Sequence, residues 1–310
     1  MDNYDDDVHI NIIEFLETIW KGKIIILIFF LLFSVSSVFY ALSLQDYYKS
    51  SSLLSVNQGN SSGVSSIASQ YSQVASFAGI SLPSQSGDKK DLILATLSSR
   101  IFLERLLKYD WVLPGLFAQE SYNKSTQELN YDKDLYNSTT KTWAIDKELN
   151  ASLKPSLQDA HIKYSNILNI EENNSNGFIK LEIEHLSPLF AKEFLDLVIE
   201  EINLMIREQD LRESSDALSY LRDQINQALV ADIKNSINSM IEGQMKTQMM
   251  AKIKTDYVLS KIDPPYVPEK KSKPTRSVIC IIGAILGFIF GIFIVLIQHY
   301  IFNKSKPSIN

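Results

Sequence analysis

The chain has 310 residues, 45% apolar and 21% charged, enough for one or two cored domains and too mixed for a disordered polyelectrolyte. Its 30 Lys and Arg against 36 Asp and Glu leave a formal charge of −6, which argues against a nucleic-acid partner. The lone cysteine, Cys280, excludes an internal disulfide and a Cys-rich zinc site, and four histidines are too scattered for a metal cluster.

Two hydrophobic blocks sit near the ends. Residues 24–42 read IIILIFFLLFSVSSVFYAL, 19 residues without a charge, and residues 278–297 read VICIIGAILGFIFGIFIVLI, 20 more. About 20 apolar residues are needed for a helix to cross the hydrocarbon layer, so both are expected to be transmembrane helices. A cleaved signal peptide fits the first poorly, since Asp5, Asp6 and Asp7 precede it and its exit lacks a small-residue cleavage site. The expected organisation is a segment 1–23, a span 24–42, an exported domain 43–277, a span 278–297 and a tail 298–310.

Lys21 and Lys23 before the first span place the N-terminus in the cytoplasm by the positive-inside bias. Lys270, Lys271, Lys273 and Arg276 before the second span, against Lys304 and Lys306 after it, point the other way. The first helix is taken to decide, because charges flanking a long translocated domain weigh less. Both termini are then cytoplasmic.

Tyr47–Val56 (YYKSSSLLSV) reads as a strand leaving the first span. A Ser/Gly/Gln-rich stretch to Gly87 reads as loop with short helical pieces. From Asp91 to Leu107, Leu94, Leu97, Ile101, Leu103 and Leu107 suggest one amphipathic helix. Residues 110–160 are expected to be loops with short helices. Ile167–Ile170 and the alternating Phe178–Glu184 read as two strands, joined by a polar turn ending in Asn176-Gly177.

Ser187 offers a cap and Pro188 a first helical residue. No proline follows before residue 260, so the sequence predicts a rod on the order of 100 Å, or a helix broken near Gly243. Phe190, Phe194, Leu197, Val198, Ile202 and Met205 form a helical stripe. From Leu221 through Ile225, Leu229, Ile233, Ile237, Ile241, Met245 and Met249 to Ile253, apolar residues recur every four positions. Each such step winds about 40° around an ideal helix. A broadened stripe in a helical hairpin and a long helix touching successive neighbours in an assembly both account for this.

The segment DYVLSKIDPPYVPEKKSKPTRS leads into the second span. It resembles the closing segment of the Wzz-type chain length determinants, the polysaccharide co-polymerases. Pro265, Pro268 and Pro274 match that family's proline spacing, and Gly287 and Gly291 match its glycines, whereas Lys273 and Thr275 depart from its Ser-Pro-Lys. IIEFLETIWKGK before the first span, DLILATLSSRIFLERLL with its Ser99-Arg100 pair, and GFIKLEIEHLSPLFAKEFLDLVIEEIN are similar to further family stretches.

That resemblance implies an inner-membrane protein with an α/β (α+β) periplasmic domain. A mixed-sheet base (43–187 and 256–268) would carry a long protruding helix (about 188–255), in a ring of identical protomers. It also implies control of the length of O-antigen or a related surface polysaccharide, in concert with the membrane polymerase, with polysaccharide or lipid-linked glycan as a further ligand. No nucleic acid or cofactor is implied. Four prolines, Pro264, Pro265, Pro268 and Pro274, predict a stiff tether before the second span. Gly283, Gly287 and Gly291 recur every four residues, a spacing that lets another helix approach closely, while glycine is also simply common in membrane helices. The family pattern favours a helix contact surface there, with Ser34 and Ser37 of the first span as counterparts. Ile233, Ile237 and Ile241 are candidate oligomer contacts.

Catalytic chemistry is not legible. No phosphate loop occurs, since Gly22-Lys23 lacks the upstream glycine, and 13 residues after the second span leave no room for a cytoplasmic kinase such as capsule-export co-polymerases carry. His161 and His185 near Glu182 or Glu184 lack a third aligned ligand. Glu171–Glu172 and Glu200–Glu201 read as surface charges. The expected function is non-catalytic, and the alternatives are a membrane-anchored glycan-binding or polymer-modifying enzyme, or a capsule-export co-polymerase.

Overall fold

The computed structural model describes residues 12–57, 85–146, 151–173, 177–227 and 231–303. The chain divides into two units, Met1–Asp46 with Lys271–Asn310, and Tyr47–Lys270.

In the first unit, α1 (Ile12–Lys21) is followed after Gly22 by α2 (Lys23–Ser43). The Ile25 and Ile26 amides donate to the Gly22 carbonyl, so the break is a bend and not a gap. Helix α9 (Arg276–Asn303) packs along α2. Both α2 and α9 are long and apolar enough to cross a membrane. Their large side chains face outward, as Leu31, Phe39, Ile281 and Ile289 do, which suits helices solvated by lipid.

The second unit is a mixed helix-and-sheet domain. Its sheet runs in the order β10 (Leu259–Asp263), β1 (Tyr47–Val56), β9 (Phe178–His185), β8 (Leu168–Asn173). These three pairings are antiparallel. The β8–β9 hairpin follows the two predicted strands, with Ile170 opposite Leu181, but Ile167 ends the preceding helix and β8 runs on through Glu171–Asn173, residues the sequence assigned to the turn. Its turn residues 174–176 lie outside the described residues, as does most of the Ser/Gly-rich stretch, 58–84.

Strand β1 buries Tyr48, Ser50, Ser52 and Leu54 on one face. Its two buried serines are satisfied by the closing segment, Ser50 Oγ donating to the Tyr266 carbonyl (2.8 Å) and Ser52 Oγ to the Asp263 carbonyl (2.7 Å). A strand rich in serine can therefore face the core without leaving unpaired hydroxyls.

The predicted helix 91–107 is two helices, α3 (Gln85–Leu97) and α4 (Arg100–Leu106). Ser99 takes extended backbone and accepts the Phe102 amide, a cap that resets the helical phase. Leu97 and Leu103 are buried accordingly, while Ile101, on the expected stripe, is 69% exposed. Residues 110–160 hold α5 (Val112–Phe117) and three small hairpins from β2–β3 (Gln119–Asn123, Glu128–Tyr131), β4–β5 (Tyr136–Asn137, Thr142–Trp143) and β6–β7 (Ile145–Asp146, Ala151–Ser152). These hairpins were not read from the sequence. A capping box at Ser156 and Asp159 then starts α6 (Leu157–Ile167).

Helix α7 (Pro188–Gln227) begins where predicted, with Ser187 Oγ accepting the Phe190 amide. Its stripe of Phe190, Phe194, Leu197, Val198 and Ile202 is buried with Ile179, Leu181 and Ile183 of β9 and with Phe102, Leu103 and Leu106 of α4. The rod does not continue to residue 255. Helix α7 is followed by α8 (Ala231–Ile253), which returns antiparallel to it; residues 228–230, with Leu229 of the predicted stripe, lie outside the described residues. The Arg207 guanidinium reaches the Lys254 and Thr255 carbonyls across the root of this hairpin. From Arg207 to Gln227 the arm is roughly 30 Å at 1.5 Å per residue. Gly243 lies within α8 and breaks nothing.

Candidate functional site

The close approach of α2 and α9 is built from glycines. A Cβ at Gly287 would stand 2.9 Å from the Phe29 carbonyl oxygen and 3.2 Å from the Phe30 Cα; one at Gly291 would stand 2.9 Å from the Ile26 Cα. At Gly283 it would overlap the Ser37 side chain. Phe290 fills the gap between Phe29 and Phe33, with ring centroids 5.5 and 5.6 Å away. Small residues every four positions let two backbones approach to packing distance, and here they face α2. Ser37, one of the anticipated counterparts, meets Gly283 and spends its hydroxyl on the Ser34 carbonyl (2.8 Å). Gly22 makes a further tight contact, with Val295, which sequence reasoning missed because it weighed Gly22 only as part of a phosphate loop.

The far end of the same helix pair carries an ion cluster. Asp46 accepts Arg276 Nη2 at 2.8 Å and Lys271 Nζ at 3.1 Å. Two of the four basic residues that seemed to oppose the assigned orientation are thus paired to a carboxylate beyond the first span. Asp46 is the first charge after one span and Arg276 the last before the other, the signal that could have revealed the pair.

Of the predicted tether, Pro265 and Pro268 are buried, Pro274 is half-buried and Pro264 is exposed. The two buried prolines flank Tyr266, whose carbonyl is held by Ser50.

Ile233, Ile237 and Ile241 all lie on α8 but do not form one outward patch. Ile237 and Ile241 are half-buried, and Ile233 is 51% exposed. The stripe turns by about 40° per step, so by Met245, Met249 and Ile253 it has left α7 and faces outward. Ile253 is 70% exposed. The hairpin therefore accounts for Ile237 and Ile241, and leaves Ile233, Met245, Met249 and Ile253 exposed.

The polar groups at the root of the hairpin are structural. Asn203 accepts the Val258 and Leu259 amides and donates to the Ile199 and Leu259 carbonyls, which ties β10 to α7. Buried Glu201 receives Arg105 and the Tyr109 hydroxyl (2.6 Å). Glu208 receives Arg105 as well, and that hydrogen bond is the main reason Arg105 is held more strongly protonated. Glu182 is opposed by burial, yet hydrogen bonds from Lys180, Asn169 and Lys49 hold its carboxyl down at about 2. His161 and His185 bond separate backbone carbonyls, of Ser98 and Gly115 (both 2.9 Å). Among the described residues no three His, Cys, Asp or Glu side chains converge as metal ligands.

These features define a class: a helix-and-sheet domain inserted between two helices of membrane-spanning length that pack through glycine. Residues 8–108, about a third of the chain, match the family model for the Wzz chain length determinant protein. Over that stretch the resemblance read from the sequence is shown. A solved full-length bacterial polysaccharide co-polymerase is similar at 15% identity and a TM-score of 0.41, over 94% of this chain and 98% of that one. No curated protein matches the chain significantly.

Proposed function

We propose that this protein is a non-catalytic inner-membrane regulator of polysaccharide chain length. The carrying observation is the match of residues 8–108 to the chain length determinant family, joined to a domain set between two spans of membrane length. The polymer is O-antigen or a related surface polysaccharide, and the protein acts with the membrane polymerase as a ring of identical protomers. Buried polar groups support a scaffold reading: Glu201, Asn203, Glu182 and His185 are each committed to protein partners rather than turned toward a substrate. A gel ladder of surface polysaccharide, with and without the protein, tests this. Loss of a modal length with polymer synthesis retained is expected. An unchanged ladder with altered sugar composition would favour a polymer-modifying enzyme instead.

Both termini face the cytoplasm in this reading and residues 43–277 face the periplasm. Lys21 and Lys23 support it, and the pairing of Lys271 and Arg276 with Asp46 lessens the contrary charge at the second span. Alkaline phosphatase fused near Asn123 should be active and fused after Asn310 inactive. The reverse pattern would invert the topology.

A further inference from the structure

Helix α1 is one residue from α2, and Gly22 keeps the two in a continuous hydrogen-bonded run, its amide donating to the Thr18 carbonyl (3.0 Å). The charge-free span begins at Ile24, four residues after Trp20, which is about 6 Å at 1.5 Å per residue of helix. The two sides of α1 differ sharply. Thr18 is buried, at 6% exposure, while Leu16 and Trp20, one turn apart on another face, are 60% and 74% exposed. Lys23 Nζ sits over the Trp20 ring at 5.4 Å. An indole one turn and a leucine two turns beyond a membrane span, both exposed and with an ammonium beside the ring, is the chemistry of the bilayer's headgroup boundary.

We propose that the Leu16–Trp20 edge of α1 docks into the phospholipid headgroup–acyl boundary on the side where the chain enters α2, and so fixes the depth of that helix. This rests on the membrane-spanning reading of α2. Charge is not what holds it there. Glu17 pairs with Lys21 at 2.8 Å and cancels it locally, leaving apolar insertion by Leu16 and Trp20 with Lys23 at the phosphates. Docking should therefore depend little on acidic lipid or on salt.

The test uses the full chain reconstituted in vesicles, comparing wild type with Trp20→Phe. The other two tryptophans, Trp111 and Trp143, lie in the Tyr47–Lys270 unit and remain as a constant background. The Trp20 component, taken as the difference, should lose most of its emission to lipids brominated near the carbonyl end and less to lipids brominated near the chain terminus. The loss should be equal in phosphatidylcholine vesicles with and without phosphatidylglycerol. Quenching by aqueous iodide in place of brominated lipid would overturn the proposal, and so would protection from both, which would place another protein surface on this edge. Loss of docking in acid-lipid-free vesicles alone would overturn the apolar account. Alkaline carbonate extraction of the same samples separates the two levels: a chain that resists extraction but fails the quenching test retains its spans and loses only this inference.

Discussion

His185 shows how one residue couples the packing of the domain to pH. Its ring stacks on Phe190 at 4.0 Å, its Nε2–H donates to the Gly115 carbonyl and its Nδ1 accepts the Ser187 amide at 3.0 Å, an arrangement that requires the neutral imidazole. Burial pulls its pKa from 6.5 to about 4, with the Gly115 carbonyl opposing and the Lys163 charge assisting. Between those values the unfolded chain binds a proton that the folded chain refuses, so stability falls as pH falls. Each pH unit of the gap is worth about 1.4 kcal/mol. Melts of the full chain in detergent should therefore lose roughly 2 kcal/mol between pH 6.5 and 5, above the range where Glu182 takes up a proton. His185→Gln should start less stable and flatten that slope. An equally steep slope in the variant would assign the acid sensitivity elsewhere.

At the scale of elements, glycine means different things in two helices. Nothing lies within 4 Å of a Cβ placed at Gly243, in α8, so Gly243→Ala should stabilise by up to about 1 kcal/mol through helix propensity alone. Gly287→Ala drives a methyl toward the Phe29 carbonyl, which a backbone cannot easily yield, and should destabilise the α2–α9 pair by about 1–3 kcal/mol. Opposite shifts of Tm in detergent are expected, and a shift of the same sign in both would contradict the close helix approach. The second-span glycines were legible from their spacing together with the family pattern, β9 from its alternation and the start of α7 from the Ser187–Pro188 pair. The reversal between α7 and α8 was not legible, because residues 225–231 (INQALVA) contain neither glycine nor proline and share the composition of the helices around them. Likewise the Ser99 cap lay inside an unbroken apolar rhythm, and the short hairpins of residues 119–152 bury too little to impose a period. Sequence periodicity reports faces that are buried continuously, so it misses where a chain reverses between two equally good helices.

For the molecule as a whole, the hairpin of α7 and α8 bears on how the proposed scaffold would govern polymer length. Ile237 and Ile241 are partly spent against neighbouring structure, whereas Met245, Met249 and Ile253 present an outward apolar face on α8, where a neighbouring protomer is proposed to pack. Fully burying such a side chain is worth about 1.5–3 kcal/mol, so three charges there should be felt by any ring that uses this face. The central claim, that length control resides in assembly and not in chemistry, is tested most directly by native mass spectrometry of the Met245→Glu/Met249→Glu/Ile253→Glu variant, read beside the polysaccharide ladder of the strain that expresses it. A smaller or dissociated oligomer, together with a displaced or lost modal length and undiminished total polymer, is the expected result. A variant that assembles as wild type does while the modal length still collapses, or that falls apart while the modal length holds, would contradict it.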